Sequence, residues 1–532
     1  MREFMQFRDL RVCDILDFAA ANHGDTEVVS AFADGTVVRH GYLEIQERAK
    51  RAANALTDAG FARGDAIATL GWNDHRHLEL YYAIPGIGGA IHTINPRVSA
   101  DQIAYMIETA KDKALAFDPS LSELVSAIVA RIDRPLTLIE MCSGPAQFPA
   151  AIGYENFIKD ASPQFQWVSV KETDPFGICF TSGTTGNPKA VVYTHRSTVL
   201  HAMACCMAEA QAVSGRETIL PVVPMFHANA WGLAHSAPMA GAKLVLPGPR
   251  LDGNSVLDLA VAEQVTFICG VPTVWQAILD VAEQQGRTLS PIKRAGMGGS
   301  APSRLMVERL EHAGLDVFHA WGMTETNPSA GTGFLKAKHL SLKEEDQITL
   351  KLGQGRPIFG LQRKIVDDDG HDLPTDGQSA GRLMVSGNWV VGEYLNAEGS
   401  PLEEGWFDTG DIATIDEDGY MKLVDRSKDL IKSGGEWISS IEVESHAQGV
   451  PGVLHAAALA EPDPKWGERP LLVVSRQPGS RVSDTEILTV LATKLVKWQV
   501  PDKVIFRDAL PMTATGKIDK RRLREELFGM IN

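Results

Sequence analysis

Residues 176–189 read FGICFTSGTTGNPK, an apolar strand-like run followed by a loop of Thr, Ser and Gly that ends in Lys189. Glycines let a backbone approach a phosphate closely, hydroxyls donate further hydrogen bonds, and a lysine adds a point charge. The loop is not of the GxxxxGK[ST] type, since Lys189 follows Asn187-Pro188 and precedes Ala190. The alternative is a polar connector between a strand and the helical stretch near His195. Six consecutive Ser, Thr or Gly residues arise by chance in about a few per cent of chains this long, so the composition of the loop does not exclude this alternative. The residue composition of the loop nevertheless favours a site that binds a polyphosphate.

The sequence on both sides of this loop predicts α/β architecture. From about residue 40 to 330, helical patterns alternate with short apolar runs, as in Ser255–Gln264 (helical), Val265–Gly270 (strand) and Val274–Gln285 (helical). Such alternation is typical of parallel sheets covered by helices. From about 350 to 424, short strands between Gly and Asp turns predict a β-rich subdomain. A charged run at 425–429 beside paired glycines indicates either a hinge or an ordinary surface turn, and an α+β unit follows.

Composition narrows the functional classes. The chain has 532 residues, 44% of them hydrophobic and 22% charged, which predicts a globular protein of more than one domain. Its formal net charge of -16 argues against broad attraction to nucleic acid or anionic lipid. The six cysteines form no CxxC pair, so we expect free thiols. We find neither a signal peptide nor an apolar run of membrane-spanning length, which predicts a cytoplasmic protein.

Five segments, in order, resemble the motifs of the adenylate-forming superfamily, which contains acyl-CoA synthetases, peptide-synthetase adenylation domains and luciferases. The loop resembles its phosphate-binding signature. The other four are WGMTET at 321–326, WFDTGD at 406–411, DRSKD with KSGGE at 425–436, and PMTATGK at 511–517. Two departures are Trp321, where the family usually has Tyr, and Ala190, where a glycine usually follows the loop lysine. The ordered set is much more specific than any one member.

This resemblance implies a fold and a reaction. The fold is a large N-terminal domain of two α/β sheets with a β-barrel-like subdomain (1–424), a hinge (425–430) and a small mobile α+β C-terminal lid (431–532). The reaction is ATP-dependent formation of acyl-AMP with release of pyrophosphate, followed by acyl transfer to coenzyme A. The implied partners are a small carboxylic acid, ATP, Mg²⁺ and coenzyme A, and a homodimer is a further expectation.

The resemblance also implies roles for individual residues around ATP. Glu325 is expected to bind Mg²⁺, Thr324 the α-phosphate, and Asp411 both ribose hydroxyls, with Arg426 as a second ribose or phosphate contact. Lys517 is expected to bridge the acid and the α-phosphate in adenylation. The alternative for Glu325 is a loop carboxylate without a task, and the alternative for Asp411 and Arg426 is a turn residue or a surface ion pair. The alternative for Lys517 is a solvated lysine in a basic tail. The loop contacts to the phosphates are Thr181, Ser182, Gly183, Thr184, Thr185, Gly186 and Lys189. The adenine pocket is expected from Gly299, Ser300, Ala301, Pro302, His319, Ala320, Trp321, Gly322 and Met323.

The second step needs a thiol near the position of Lys517, so the resemblance implies that the lid rotates about Lys428. The residues expected to form the hinge and the tunnel for the thiol also include Gly434, Gly435, Glu436 and Trp437. Lys432 is expected among the cofactor-binding residues.

The acid pocket is expected beside Pro224–Trp231. His227 is expected to contact the carboxylate, and Trp231 resembles the aromatic gate of fatty-acyl synthetases, with core packing as the alternative. Gly298, Gly299, Gly322 and Met323 are expected as other walls. Amino-acid-activating relatives usually place an Asp in this segment, and its absence favours an uncharged acyl tail. The chain looks similar to fatty-acyl-CoA synthetases and to 3-(methylthio)propionyl-CoA ligases. A stand-alone enzyme that loads a carrier-protein thiol is the alternative.

Overall fold

The structure, a computed structural model, describes residues 5–181, 187–397, 399–434, 436–513 and 517–529. The α-helical segments are α1 Val12–Asn22, α2 Tyr42–Asp58, α3 His75–Gly86, α4 Ala100–Ala110, α5 Ser122–Val129, α6 Tyr154–Ile158, α7 His195–Cys205, α8 Ala228–Trp231, α9 Leu233–Ala240, α10 Gly253–Ala262, α11 Pro272–Gln285, α12 Arg304–His312, α13 Glu344–Leu352, α14 Ser440–Gln448, α15 Asp484–Lys494 and α16 Lys520–Phe528. Short 3₁₀ turns cover Pro119–Leu121, Thr324–Thr326 and Ala337–His339.

The strands of the described residues fall into four sheets. They are β1 Glu27–Ala31, β2 Val37–Gly41, β3 Ala66–Leu70, β4 Ala90–Thr93, β5 Ala114–Phe117, β6 Thr137–Glu140, β7 Ile152–Gly153, β8 Pro175–Phe180, β9 Ala190–Thr194, β10 Thr218–Pro221, β11 Lys243–Leu246, β12 Phe267–Gly270, β13 Arg294–Met297, β14 Asp316–Gly322, β15 Ser329–Thr332, β16 Arg356–Pro357, β17 Leu361–Val366, β18 Gly381–Gly387, β19 Leu402–Glu403, β20 Trp406–Ile415, β21 Met421–Arg426, β22 Ile431–Ser433, β23 Glu436–Ile438, β24 Val453–Asp463, β25 Gly467–Arg476 and β26 Lys503–Arg507.

Two large, mainly parallel sheets form the N-terminal part. One has the order β16-β15-β14-β13-β12-β10-β11-β1-β2 and the other β7-β6-β5-β3-β4-β8-β9. Central strands such as β3, β4, β5 and β12 are buried along their whole length, as expected for strands with helices on both faces. Parallel strands bring their carboxyl ends to one edge, and β13 and β14, which are neighbours in the larger sheet, therefore place the segments that follow them near one another. The predicted α/β class is confirmed.

The phosphate loop connects two antiparallel strands. Phe180 at the end of β8 pairs with Ala190 at the start of β9, and α7 begins only at His195, after β9. The sequence analysis placed a helix soon after the loop but missed the intervening strand. Thr194 ends β9 and caps α7, because its hydroxyl accepts a hydrogen bond from the Ser197 N–H at 3.0 Å.

Two smaller sheets complete the chain. Strands β17–β21 form an antiparallel sheet between Leu361 and Arg426, and β22–β26 form a sheet with its own core of buried residues from α14, α15 and the strands. The predicted hinge, 425–430, spans the end of β21 and the connection to β22. All six cysteines are free, as expected. No helix in the described ranges is long and apolar enough to cross a membrane.

Candidate active site

The two ends of the phosphate loop are fastened to each other. The Thr181 N–H donates to the Lys189 carbonyl at 2.9 Å, and the Lys189 N–H donates to Thr181 Oγ1 at 3.2 Å. The Lys189 ammonium lies 4.8 Å from the centroid of the Tyr394 ring, within cation–π range. The intervening loop calls of the sequence analysis, Ser182 to Gly186, lie outside the described residues. The hydrogen bonds between Thr181 and Lys189 therefore hold the Lys189 backbone at a defined position.

Asp411 is held by two donors on different elements. Arg426 Nε lies 2.9 Å from its Oδ1, because the two residues pair across β20 and β21. The Trp321 indole N–H donates to its Oδ2 at 3.1 Å. Burial raises the pKa of Asp411, whereas the Arg426 charge and the indole bond oppose this rise. The Trp that departs from the family pattern thus supplies a donor that fixes the predicted ribose carboxylate.

Glu325 lies buried in a short turn between β14 and β15. Tyr394 donates its hydroxyl to Oε1 at 2.9 Å, and the Val391 N–H donates to the Glu325 carbonyl at 2.7 Å. The neighbouring Thr324 carbonyl accepts a hydrogen bond from the Tyr193 hydroxyl at 2.7 Å. Burial raises the pKa of Glu325, and the Tyr394 bond and nearby cationic charges work against that rise. A buried carboxylate such as Glu325, beside Lys189 and Arg426, is suited to bind a metal cation that neutralises its charge.

Lys517 reaches the N-terminal sheets from the C-terminal domain. Its turn is closed by the Thr513 N–H, which donates to the Lys517 carbonyl at 2.6 Å. A Cβ built on Gly299 would lie 3.8 Å from Cε of Lys517. The side chain keeps accessible surface in the cleft, yet the protein around it lowers the pKa of Lys517 to about 8 by desolvation. The Arg426 charge lowers this pKa further, and the Asp411 charge raises it.

His227 and Trp231 lie near this lysine. Burial, followed by the charge of Lys517, lowers the pKa of His227 to about 4, so the ring is neutral at pH 7. The Trp231 indole packs on Gly298, where a built Cβ would approach ring carbon Cη2 to 2.9 Å. Gly298 leads into Gly299, which has φ +81° and lies under Lys517. The predicted acyl-site residues are therefore gathered around the predicted reacting lysine.

Comparisons with known proteins identify the family. A family model described as AMP-binding enzyme matches residues 16–395, and one described as AMP-binding enzyme C-terminal domain matches residues 442–517. The chain belongs to the AMP-binding enzyme family. This AMP-binding enzyme is 46% identical to the 3-methylmercaptopropionyl-CoA ligase of Ruegeria lacuscaerulensis, with 98% of each chain covered. It is 44% identical to the medium-chain-fatty-acid–CoA ligase of Ectopseudomonas oleovorans, over 98% of this chain and 97% of that one.

A solved structure of an anthranilate CoA ligase in complex with anthranoyl-AMP has the same fold. Its TM-score is 0.88 at 21% identity, with 99% of both chains covered. The enzyme class predicted from the sequence, an AMP-forming acid–thiol ligase, is confirmed by the full-length relatives.

The predicted adenine pocket of this AMP-binding enzyme follows β13 and β14. Ser300 and Ala301 are exposed and Pro302 is buried, after Gly299. His319 and Ala320 are buried in β14, and the His319 ring is bonded to the Leu352 carbonyl at 3.0 Å, so it supports the wall. Gly322 meets backbone, because a built Cβ would lie 1.9 Å from the Pro328 carbonyl oxygen. Met323 follows as the start of the turn that carries Glu325.

The predicted hinge and tunnel residues of the AMP-binding enzyme lie in β22 and β23 and just before them. Lys428 is exposed, and its carbonyl accepts from Arg524 at 3.4 Å. Lys432 is exposed on β22, and no hydrogen bond or ion pair within the described ranges joins it to Asp411 or Arg426. Gly434, at φ +63°, lies against the Trp466 ring. Glu436 is exposed and Trp437 half-buried on β23, and Gly435 lies outside the described residues.

Two tyrosines of the site escaped the sequence analysis. Tyr394, which contacts both Glu325 and Lys189, is 69 residues from Glu325 in sequence. Tyr193, which fixes the Thr324 carbonyl, lies on the strand that was missed. Tyr193 lies four residues after the phosphate loop and Tyr394 lies 12 residues before the WFDTGD motif. An aromatic residue at such a position does not distinguish a site residue from the core.

Proposed function

We propose that this enzyme activates an unbranched, uncharged short- to medium-chain acid, 3-(methylthio)propionate included, and transfers it to coenzyme A. The packing of the Trp231 indole on Gly298, beside Lys517, carries the proposal. An aromatic wall this close to the reacting group suits an apolar tail, and the segment from Pro224 to Trp231 offers no carboxylate for an ammonium group. Relatives of similar length are named as 3-methylmercaptopropionyl-CoA, medium-chain-fatty-acid–CoA and long-chain-fatty-acid–CoA ligases, which supports an acid with an apolar tail.

The geometry suits adenylation. The acid's carboxylate oxygen attacks the α-phosphorus, a new O–P bond forms, and pyrophosphate leaves with the electrons of the broken P–O bond. The Lys517 ammonium stabilises the charge that accumulates on the α-phosphate, and Asp411 holds the ribose through its hydroxyls. In the second step a thiolate attacks the acyl carbonyl and AMP leaves. Neutral His227 borders the carboxylate without adding charge.

Glu325 fits a magnesium ion because it is a buried carboxylate among oxygen-bearing groups and beside the phosphate loop. We propose that Glu325 would hold Mg²⁺, which would supply positive charge to neutralise the polyphosphate. The homodimer implied by the resemblance remains a proposal, which sedimentation velocity can test.

Glu325→Gln is expected to raise the Mg²⁺ concentration for half-maximal pyrophosphate release and to lower its rate about 100-fold, because an amide lacks the negative charge that binds the ion. The measurement is a Mg²⁺ titration of acid-dependent pyrophosphate release. Tyr394→Phe is the control, because it removes one bond to Glu325 but keeps the carboxylate, and it should lose less than about tenfold. An unchanged Mg²⁺ requirement in Glu325→Gln would contradict the assignment.

The pKa of Lys517 gives an expected pH dependence. The ammonium form is required, so kcat/KM for ATP in the adenylation step should fall as pH rises through about 8 in the free enzyme. Bound ATP favours the ammonium, and the fall in kcat should therefore lie at higher pH. Lys517→Arg keeps its charge throughout, and its residual activity should show no alkaline fall. A wild-type profile that is flat to pH 9.5 would contradict the lowered pKa of Lys517, and an alkaline fall that persists in Lys517→Arg would show that another group causes it.

A panel of acids tests the proposed substrate range. Linear acids from acetate to hexadecanoate, branched and aromatic acids, and 3-(methylthio)propionate would be compared by kcat/KM with coenzyme A as acceptor. We expect a maximum among short- to medium-chain and thioether acids. A maximum at hexadecanoate or at an aromatic acid would overturn the proposed range, and a preference for a carrier-protein thiol over coenzyme A would overturn the proposed acceptor.

A further inference from the structure

The segment that carries Trp231 has an unusual backbone. Ala228, Asn229, Ala230 and Trp231 have φ values of 45°, 57°, 51° and 56°, and Gly232 follows at 84°. Four consecutive non-glycine residues in the left-handed region are unfavourable, because each Cβ crowds the following carbonyl oxygen. Such a turn persists only where the surrounding structure over-determines it. The question is which contacts hold it.

One buried amide holds the end of this left-handed turn. Gln211 Nε2 donates to the Trp231 carbonyl at 2.9 Å and also lies 3.1 Å from the Ser329 hydroxyl. Gln211 is only 1% exposed, so neither bond competes with solvent. The Gln211 Oε1 is buried and has no hydrogen-bond partner among the described residues. Burying an amide oxygen without a partner costs free energy, which the hydrogen bonds of the amide N–H group have to offset.

The neighbours of Gln211 connect the turn to the nucleotide side of the site. The Ser329 N–H donates to His201 Nε2 at 3.1 Å, and a Cβ on Gly232 would lie 2.5 Å from the His201 ring. His201 is neutral, because burial lowers its pKa to about 3. Ser329 pairs with Gly322 of β14, the strand that carries Trp321. Thus the amide joins the strand of the predicted adenine pocket to the Trp231 turn.

We propose that Gln211 is a positioning residue that sets the enzyme's choice of acid. By holding the Trp231 carbonyl, it fixes the left-handed turn and therefore the place of the indole on Gly298. A change in the turn would move the indole relative to Lys517 and alter which acyl tails fit. This inference rests on the proposed function in one respect, namely that the acyl tail lies against Trp231.

The test compares Gln211→Leu with a buried control. Gln211→Leu removes the amide donor at similar volume, and we expect the ratio of kcat/KM for a short and a ten-carbon acid to shift about tenfold, the size of one lost buried hydrogen bond. KM for the preferred acid should rise by a similar factor, and KM for ATP should stay within about twofold. Gln211→Met, which has a similar length but no amide N–H, should change the ratio in the same direction and serves if the leucine variant does not fold.

Tyr82→Phe is the matched control, because it removes another buried bond, from the Tyr82 hydroxyl to the Ala234 carbonyl at 2.8 Å, on the helix just after the turn. We expect a lower Tm and an unchanged acid profile. If Gln211→Leu also lowers only the Tm, or raises KM for ATP and acid equally, the inference is overturned.

A double mutant separates this inference from the proposed function. If Gln211 acts through the indole, Gln211→Leu should cause no further shift in the acid profile of Trp231→Ala. Additive shifts would overturn the positioning role while leaving the proposed function intact. If Trp231→Ala alone leaves the profile unchanged, the acyl tail does not lie there, and both the substrate proposal and the inference fail.

Discussion

Lys517→Ala is expected to lower acid-dependent pyrophosphate release by about 1,000-fold, the upper range for loss of one preorganised transition-state donor. Acyl transfer from preformed acyl-AMP to coenzyme A should fall by less than about threefold, because this step does not form the charge that Lys517 stabilises. Lys517 is the cation that the C-terminal domain brings close to Gly299, Asp411 and His227. The two half-reactions would be measured separately, as pyrophosphate release and as thioester formation.

Lys503→Ala is the matched control for this variant. Lys503 also belongs to the C-terminal domain, but it is exposed and paired on the surface with Glu461 at 3.0 Å. Surface pairs of this kind contribute little, so both half-reactions should remain near the wild-type rate. Equal losses in both half-reactions of Lys517→Ala would show a structural role for the lysine and contradict its assignment to adenylation.

Lys428→Pro is expected to have the opposite selectivity: adenylation should stay within about threefold of wild type, and thioester formation should fall about 100-fold. In the structure Lys517 already lies in the cleft, so the present arrangement suits the first step. Proline restricts φ and would oppose the rotation that exchanges Lys517 for the thiol. The Lys428 N–H makes no hydrogen bond to any described residue, so proline removes no bond from the present arrangement.

Lys428→Ala serves as the control for the hinge variant, since it removes the side chain but leaves the backbone free to rotate. Both half-reactions of this variant should remain close to wild type. If the proline variant loses both half-reactions equally, rotation about Lys428 does not separate the two steps. If it retains both, the hinge lies elsewhere.

Contacts near the predicted hinge differ in whether a rotation about Lys428 would break them. Asp425, at the end of β21, accepts a hydrogen bond from the Ser440 N–H at 2.6 Å, and Lys520 forms an ion pair with Glu444 at 2.6 Å. Arg524 of the last helix is bonded to Asp429. Rotation about Lys428 has to break the Asp425 contact, whereas the Lys520 and Arg524 pairs lie within the moving part.

The sequence predicted the parts of the site that are local. Asp411 and Arg426 flank one turn and therefore meet across adjacent strands, and Thr324 and Glu325 lie in a single short motif. The alternation of helices and apolar strands likewise predicted parallel sheets covered by helices, because each element carries its own periodicity, and the number of two sheets came from the resemblance. The roles of these four site residues, like that of Lys517, were assigned from the family resemblance, and the structure places Lys517 near Asp411 and Arg426.

The parts that could not be predicted depend on distant contacts. In Ala228–Trp231 only Asn229 belongs to a residue type that readily adopts the left-handed region, so the sequence does not reveal the turn. The turn is held by Gln211, which lies 20 residues from Trp231 in the chain. The hydrogen bond from Tyr394 to Glu325 also depends on tertiary packing, because it joins the segment between β18 and β19 to the turn between β14 and β15. Local propensity is overridden at such positions, where a tertiary hydrogen bond outweighs the intrinsic preference of the backbone.

The central claim is that acyl-AMP forms where Asp411, Glu325 and Lys517 meet. The most direct measurement is a crystal structure with a non-hydrolysable acyl-sulfamoyl adenosine carrying a medium-length tail. We predict that both ribose hydroxyls contact Asp411, that the sulfamoyl group lies within hydrogen-bond distance of the Lys517 ammonium, and that the tail lies against Trp231. An adenosine bound away from Asp411, or a sulfamoyl group out of reach of Lys517 with the lid in the present arrangement, would contradict the claim.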